Sequence, residues 1–221
     1  MPARGIARIG GNGRNRLGAR TSERRSQAER REITRHRIVS AVFESVAEVG
    51  LARTTAVEVT RRAGVTWGAV QHHFGGKDGM LLAAVETSFE RFAARTDSVS
   101  TEGATVGERA SLFVDRAWAH FGSREYRSAF EILLAYAARD DVDEPPTFQG
   151  RMFDAWDRVW MRIFRDSPLP RRRQLALEQY TISVLTGLAA TATLEGDVAR
   201  TPRAALGFLK DTLARELAKT G

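Results

Sequence analysis

The chain has 221 residues, 43% hydrophobic and 28% charged, with 34 Lys+Arg against 27 Asp+Glu and no cysteine. That balance describes a globular chain able to bury a core, not a disordered or fibrous one. Lack of Cys excludes disulfides, thiolate zinc sites and Cys nucleophiles, and no apolar run nears the ~18 residues of a membrane span, so a cytoplasmic protein with no membrane partner is expected.

The formal net charge of +7 is unevenly placed: residues 1–31 carry nine Arg and two Glu, and the remainder is neutral. Residues 1–25 are rich in Arg and Gly and lack the apolar stretch of a secretory signal. They read as a disordered arm whose charge suits a polyanion, nucleic acid first.

The spacing of Ile38, Val39, Val42, Phe43 and Val46 predicts a helix over 26–49, closed by Gly50. Two short helices follow. Thr55 caps the first, about 56–63, with Glu58 at the capping-box position, and Thr66 caps the second, 67–74, after a break at Gly64-Val65. A long helix covers about 78–96, and further helices cover 106–121, 123–139, 147–166, 171–194 and 202–219, with an acidic, Pro-containing turn at 140–146. The fold class is all-α: an N-terminal three-helix helix-turn-helix domain (26–77), then a helical domain (78–221), about nine helices in all. The helix ending Thr181–Leu194 has little charge around its circumference, which predicts burial on every side.

Two short helices joined by a tight Gly turn and buttressed by a longer one make a helix-turn-helix. Ala63 is small where the helices cross, Gly64 suits the turn, Val65 can plug the gap, and Val70 and Phe74 face inward. Trp67, Gly68, Ala69, Gln71, His72 and His73 then face out, and Gln can pair bidentately with adenine. The segment from Arg53 to Leu82 holds four basic and two acidic residues, modest for DNA binding.

The stretch from Thr54 to Leu81 resembles the DNA-binding signature of the TetR family of transcriptional regulators. It does so through Thr54-Thr55, Ala63-Gly64-Val65-Thr66, Gly68, His73-Phe74 and Gly76-Lys77-Asp78. The resemblance implies that Thr55 meets a phosphate, that Thr66, Trp67, Gly68, Ala69, Gln71 and His72 face the major groove, and that His73 and Lys77 contact backbone. His73 is also readable as a packing residue. Gln71 departs from the family's usual Tyr, a common phosphate contact.

By the same resemblance, the larger half binds an unidentified small-molecule effector and forms a homodimer through helices near 171–194 and 202–219. Trp118, Phe121, Phe130, Tyr136, Phe153, Trp156 and Trp160 are the candidate effector residues, although an aromatic stripe at helical spacing also describes a core; His120 and Tyr126 are polar candidates. The partner implied is a near-palindromic double-stranded DNA operator, and the activity that of a ligand-responsive regulator, a repressor by expectation. The alternative is a helical sensor or interaction protein whose helix-turn-helix does not bind DNA. No catalytic constellation, metal site or cofactor motif is visible. His36, His72, His73 and His120 show no ligand spacing, and Gly10-Gly11-Asn12-Gly13 is not followed by the Lys-Ser/Thr of a phosphate loop. The expectation is therefore a protein that is not an enzyme.

Overall fold

The computed structural model describes residues 13–97, 101–138, 147–195 and 202–219. Every regular element among them is helical: α1 (Gly13–Val49), a single 3₁₀ turn (Leu51–Arg53), α2 (Ala56–Ala63), α3 (Trp67–Phe74), α4 (Lys77–Asp97), α5 (Val106–Phe121), α6 (Arg124–Ala137), α7 (Thr147–Phe164), α8 (Arg171–Glu195) and α9 (Arg203–Leu217). The all-α reading is correct, and most ends fall within two residues of those the sequence predicts.

Three features differ from expectation. α1 begins at Gly13 rather than residue 26, so the stretch expected as a disordered arm is helical from that point; five of the thirteen residues from Gly13 to Arg25 are Arg, a good helix former, and no Pro interrupts them. Residues 1–12 and the acidic turn at 140–146 lie outside the described residues. The turn at Leu51–Arg53 has too few residues for any periodicity to announce it. α8 buries one stripe only, through Gln174, Leu177, Glu178, Thr181, Leu185 and Ala189, whereas Leu175, Tyr180 and Leu194 are exposed.

Two hydrophobic cores organise the chain. The first joins Ile38, Val39, Val42 and Val46 of α1 to Val59 and Ala63 of α2, Val70 of α3, and Met80, Leu81, Ala84 and Val85 of α4. Ala129 and Ile132 of α6 complete it. The boundary expected at 77/78 therefore runs through shared packing, because α4 and α6 each serve both halves. In the second core, Leu206, Leu209, Leu213 and Leu217 of α9 pack toward Ala110, Phe113, Val114 and Ala117 of α5 and the aromatic residues of α7. Each such leucine contributes roughly 1.5–3 kcal/mol of transfer free energy.

Candidate nucleic-acid interface

The reading head is fixed by caps. Thr55 stands before α2 in extended conformation and its hydroxyl accepts the Glu58 amide at 3.2 Å; Thr66 does the same for α3, accepting the Ala69 amide at 3.3 Å. A cap of this kind contributes about 1 kcal/mol and uses only the acceptor side of the hydroxyl. Both threonines are exposed, so each O–H remains able to donate outward. Between them Gly64 takes the left-handed conformation (φ 64°) that ends α2, which a residue with a Cβ adopts only at a cost. Beneath the turn, Thr54 is fully buried and shares a 3.0 Å hydrogen bond with Ser45 of α1.

α3 sorts its residues sharply by exposure. Val70 is fully buried, while Trp67, Gly68, Gln71 and His72 form one exposed face, with Ala69 partly covered. Two glycines near this helix serve opposite ends. A Cβ on Gly79 would run into the carbonyl oxygen of Phe74, so Gly79 is what lets α4 start directly beneath the end of α3. A Cβ on Gly68 would meet only the Thr66 hydroxyl, at an ordinary 3.8 Å. The fold therefore does not require a glycine at 68.

The charges of the head are already partly spent. Arg61 and Arg62 both hold Glu58, whose carboxyl is lowered to about 2 by those hydrogen bonds, and Arg62 also reaches Glu48 on α1 at 2.7 Å. Lys77 is exposed and has no ion pair among the described residues. Sequence reasoning missed Arg31, which was counted only with the basic N-terminal stretch, and Arg35. They lie beside the end of α3: Arg35 stacks over the Phe74 ring at 5.3 Å, and both guanidinium charges act on His73. Partial burial, then His72, Arg31 and Arg35, lower the His73 pKa and keep its imidazole neutral at neutral pH. Their four-residue spacing on a helix leading into the motif was the available signal.

The effector candidates separate. Phe121, Trp156 and Trp160 are buried in a ring cluster with Phe92 and Phe113, where Phe92 stacks on Trp156 at 5.0 Å. Trp118 is partly buried against the same core and sits on Gly122. His120 is buried there too, and its Nε2, like the indole N–H of Trp156 and Trp160, has no hydrogen-bond partner among the described residues. Phe153 is exposed on a groove of about 620 Å³ between α7 and α8. Tyr136 instead links the halves, donating to Asp78 at 2.7 Å. Only Phe130 of the seven lines the open cavity of about 430 Å³ between α1, α6 and α8; Tyr126 joins it there, 3.2 Å from the Thr186 hydroxyl.

That cavity lies on the joint between reading head and larger half, and α6 makes the joint. From its start to its end, Glu125 holds Arg91 (2.7 Å), which reaches His36 (3.1 Å); Ser128 donates to the Phe43 carbonyl (3.3 Å); Glu131 accepts the Leu51 amide (2.8 Å); and Tyr136 holds Asp78. A displacement of α6 thus acts on α1, the 3₁₀ turn and α4 together.

Residues 38–84 match the family model of bacterial regulatory proteins, tetR family. The HTH-type transcriptional regulator BetI of Burkholderia ambifaria is 34% identical over 113 residues, which are 45% of this chain and 58% of that protein. The chain thus spans a little over half the length of that curated relative. Among solved structures, Salmonella enterica GusR shares the fold at TM-score 0.62 and 17% identity, covering 84% of this chain and 96% of that one. The transcriptional regulator FadR from Bacillus subtilis, solved in complex with stearoyl-CoA, does so at TM-score 0.60 and 14% identity, over 84% and 98%. Residues 38–84 thus carry the N-terminal signature of the bacterial regulatory proteins, tetR family, and the described helices share their fold with these solved structures.

Proposed function

We propose that this protein is a cytoplasmic, dimeric, one-component transcriptional repressor that binds a near-palindromic operator and is released by a small-molecule effector held in its larger half. The observation carrying the DNA-binding part is the exposed face of α3, Trp67, Gly68, Gln71 and His72, set between the outward hydroxyls of Thr55 and Thr66. Thr66, Trp67, Gly68, Ala69, Gln71 and His72 face the major groove, Thr55, His73 and Lys77 meet the phosphate backbone, and Arg31 and Arg35 add positive charge beside them. Small residues at 68 and 69 allow close approach, and Gln71 offers a donor and an acceptor in place of an aromatic plane. The Arg-rich N-terminal stretch supplies further phosphate neutralisation.

Support for the dimer comes from α8 and α9. Leu194 and Phe208 are 88% and 73% exposed in the single chain, Leu175 and Tyr180 nearly half. A Cβ at Gly187 or Gly207 would meet nothing within 4 Å, which leaves room for another helix. Apolar residues left outside on two long helices mark an association surface, and a two-fold axis through it places two recognition helices roughly 34–36 Å apart, one turn of DNA.

For the effector, α6 is the transmitting element, because it contacts both cores and ties to α1, the 3₁₀ turn and α4. The effector favours a conformation in which α4 sets the heads at a spacing the operator does not accept. Footprinting on the DNA upstream of the protein's own coding sequence tests this reading. A protected near-palindrome is the expected result; uniform or absent protection favours the helix-turn-helix that does not read DNA.

A further inference from the structure

The cavity on the joint has a distinct chemistry. Its walls are apolar, with Phe130 and Leu134 of α6 facing Ala189, Ala190 and Leu194 of α8. Its volume of about 430 Å³ lies within the range of roughly 300–1,000 Å³ usual for small-molecule sites. The charged groups all lie on α6, at Arg124, Arg127 and Glu131, with the hydroxyls of Tyr126, Ser128 and Thr193 also in the lining. Neither guanidinium is in an ion pair among the described residues, and Glu131 is already committed to the Leu51 amide at 2.8 Å.

From this arrangement we infer that the cavity takes a lipophilic carboxylate, its apolar body against α8 and its head on Arg127 and Arg124, and that the head acts on the Glu131–Leu51 contact. The inference rests on the reading of the protein as a ligand-responsive regulator. Two free guanidinium forks match a carboxylate bidentately, whereas the single carboxylate in the cavity already has a partner, which disfavours a cation. An anion on Arg127 stands one helical turn from Glu131. Its repulsion, and the pull on the helix through Arg127, weaken the hydrogen bond by which α6 holds the turn after α1. The neighbouring Ser128–Phe43 contact loosens with it, and the head is freed from α6. The buried rings at Trp156 and Trp160 offer no described space for such a molecule, and the groove beside Phe153 and Leu175 presents Asp154, Asp157 and Glu178, which repel a carboxylate.

The test is calorimetric titration of the full-length protein with saturated fatty acids from octanoate to tetradecanoate, with decylamine and decanol as charge controls. Decanoate is expected to bind, to bind at least tenfold more weakly to the Arg124→Ala/Arg127→Ala variant, and to be excluded by Ala190→Phe, which fills the cavity. Glu131→Gln keeps an acceptor for the Leu51 amide but removes the charge. It should bind decanoate at least as tightly and lose less of its footprint when decanoate is added. Absence of binding by every acid, equal binding of decylamine or decanol, or binding unchanged in the double Arg variant overturns the inference. An intact footprint without fatty-acid binding removes this inference alone; absence of any footprint removes the regulatory reading, whatever the calorimetry shows.

Discussion

The reading head and the larger half are built from the same material, amphipathic helices, yet they record their function differently. In the head, Thr55, Gly64, Thr66 and Gly79 occupy backbone positions that demand those residue types, and the exposed face of α3 follows from eight consecutive residues. In the larger half, Phe121, Phe130, Phe153 and Trp160 share one sequence pattern but lie in the core, a cavity wall, a surface groove and the core again. A motif whose parts touch through caps and turns is written locally. A cavity assembled from α1, α6 and α8 is written only in the tertiary arrangement.

The largest expected effect separates the aromatic residues of the larger half. Trp160→Ala empties a fully buried site and should cost about 3–5 kcal/mol in denaturant unfolding. Phe153→Ala removes an exposed ring and should change stability by less than about 0.5 kcal/mol. Equal losses at the two positions would show that the stripe is not divided between core and surface in this way.

The paired glycines sharpen the contrast inside the head. Gly79→Ala forces a methyl into the Phe74 carbonyl and should destabilise the protein by roughly 1–3 kcal/mol. Gly68→Ala replaces a helical glycine in open space and should stabilise it by about 0.5–1 kcal/mol in thermal melts. The same methyl stands on the face assigned to DNA, so operator affinity should fall while the melting temperature rises. Stability and affinity moving together at position 68 would show that this face does not approach the duplex.

Smaller effects come from two buried ionisable groups, with opposite signs. Burial, then the charge of Arg95, lowers the His120 pKa to about 3 from an ordinary 6.5. The unfolded chain then binds a proton that the folded chain refuses, so this contribution is full above about pH 6.5 and declines toward pH 3. His120→Phe should flatten the loss of stability on acidification. Burial and the nearby Asp157 raise Glu178 to about 7 from 4.5. Its contribution is full below about pH 4.5 and lost as pH rises through 7, so Glu178→Gln should gain stability at pH 8 relative to the native chain. Melts across pH 4–8 resolve both, and a Glu178→Gln chain no more stable at pH 8 would contradict the raised carboxyl.

The fold was legible because each helix carries its own period and the first ones their own punctuation at Gly50, Gly64 and Thr66. The start of α1 was not, because an Arg-rich sequence with scattered glycine supports either a helix or a coil until its neighbours are known. The face of α3 could be read, since a helix fixes which residues point together. Arg31 and Arg35 were missed because α1 crosses to the end of α3 only in the folded chain. The role of α6 was invisible for a related reason. Periodicity tells which residues share a face, and here one face of a helix meets two cores and a cavity.

Operator affinity of a Gln71→Ala/Lys77→Ala variant tests the central claim most directly, since both side chains are exposed and neither supports the fold. The account predicts an unchanged melting temperature with affinity for the footprinted site reduced at least a hundredfold. Native affinity in a chain that melts at the native temperature would contradict it.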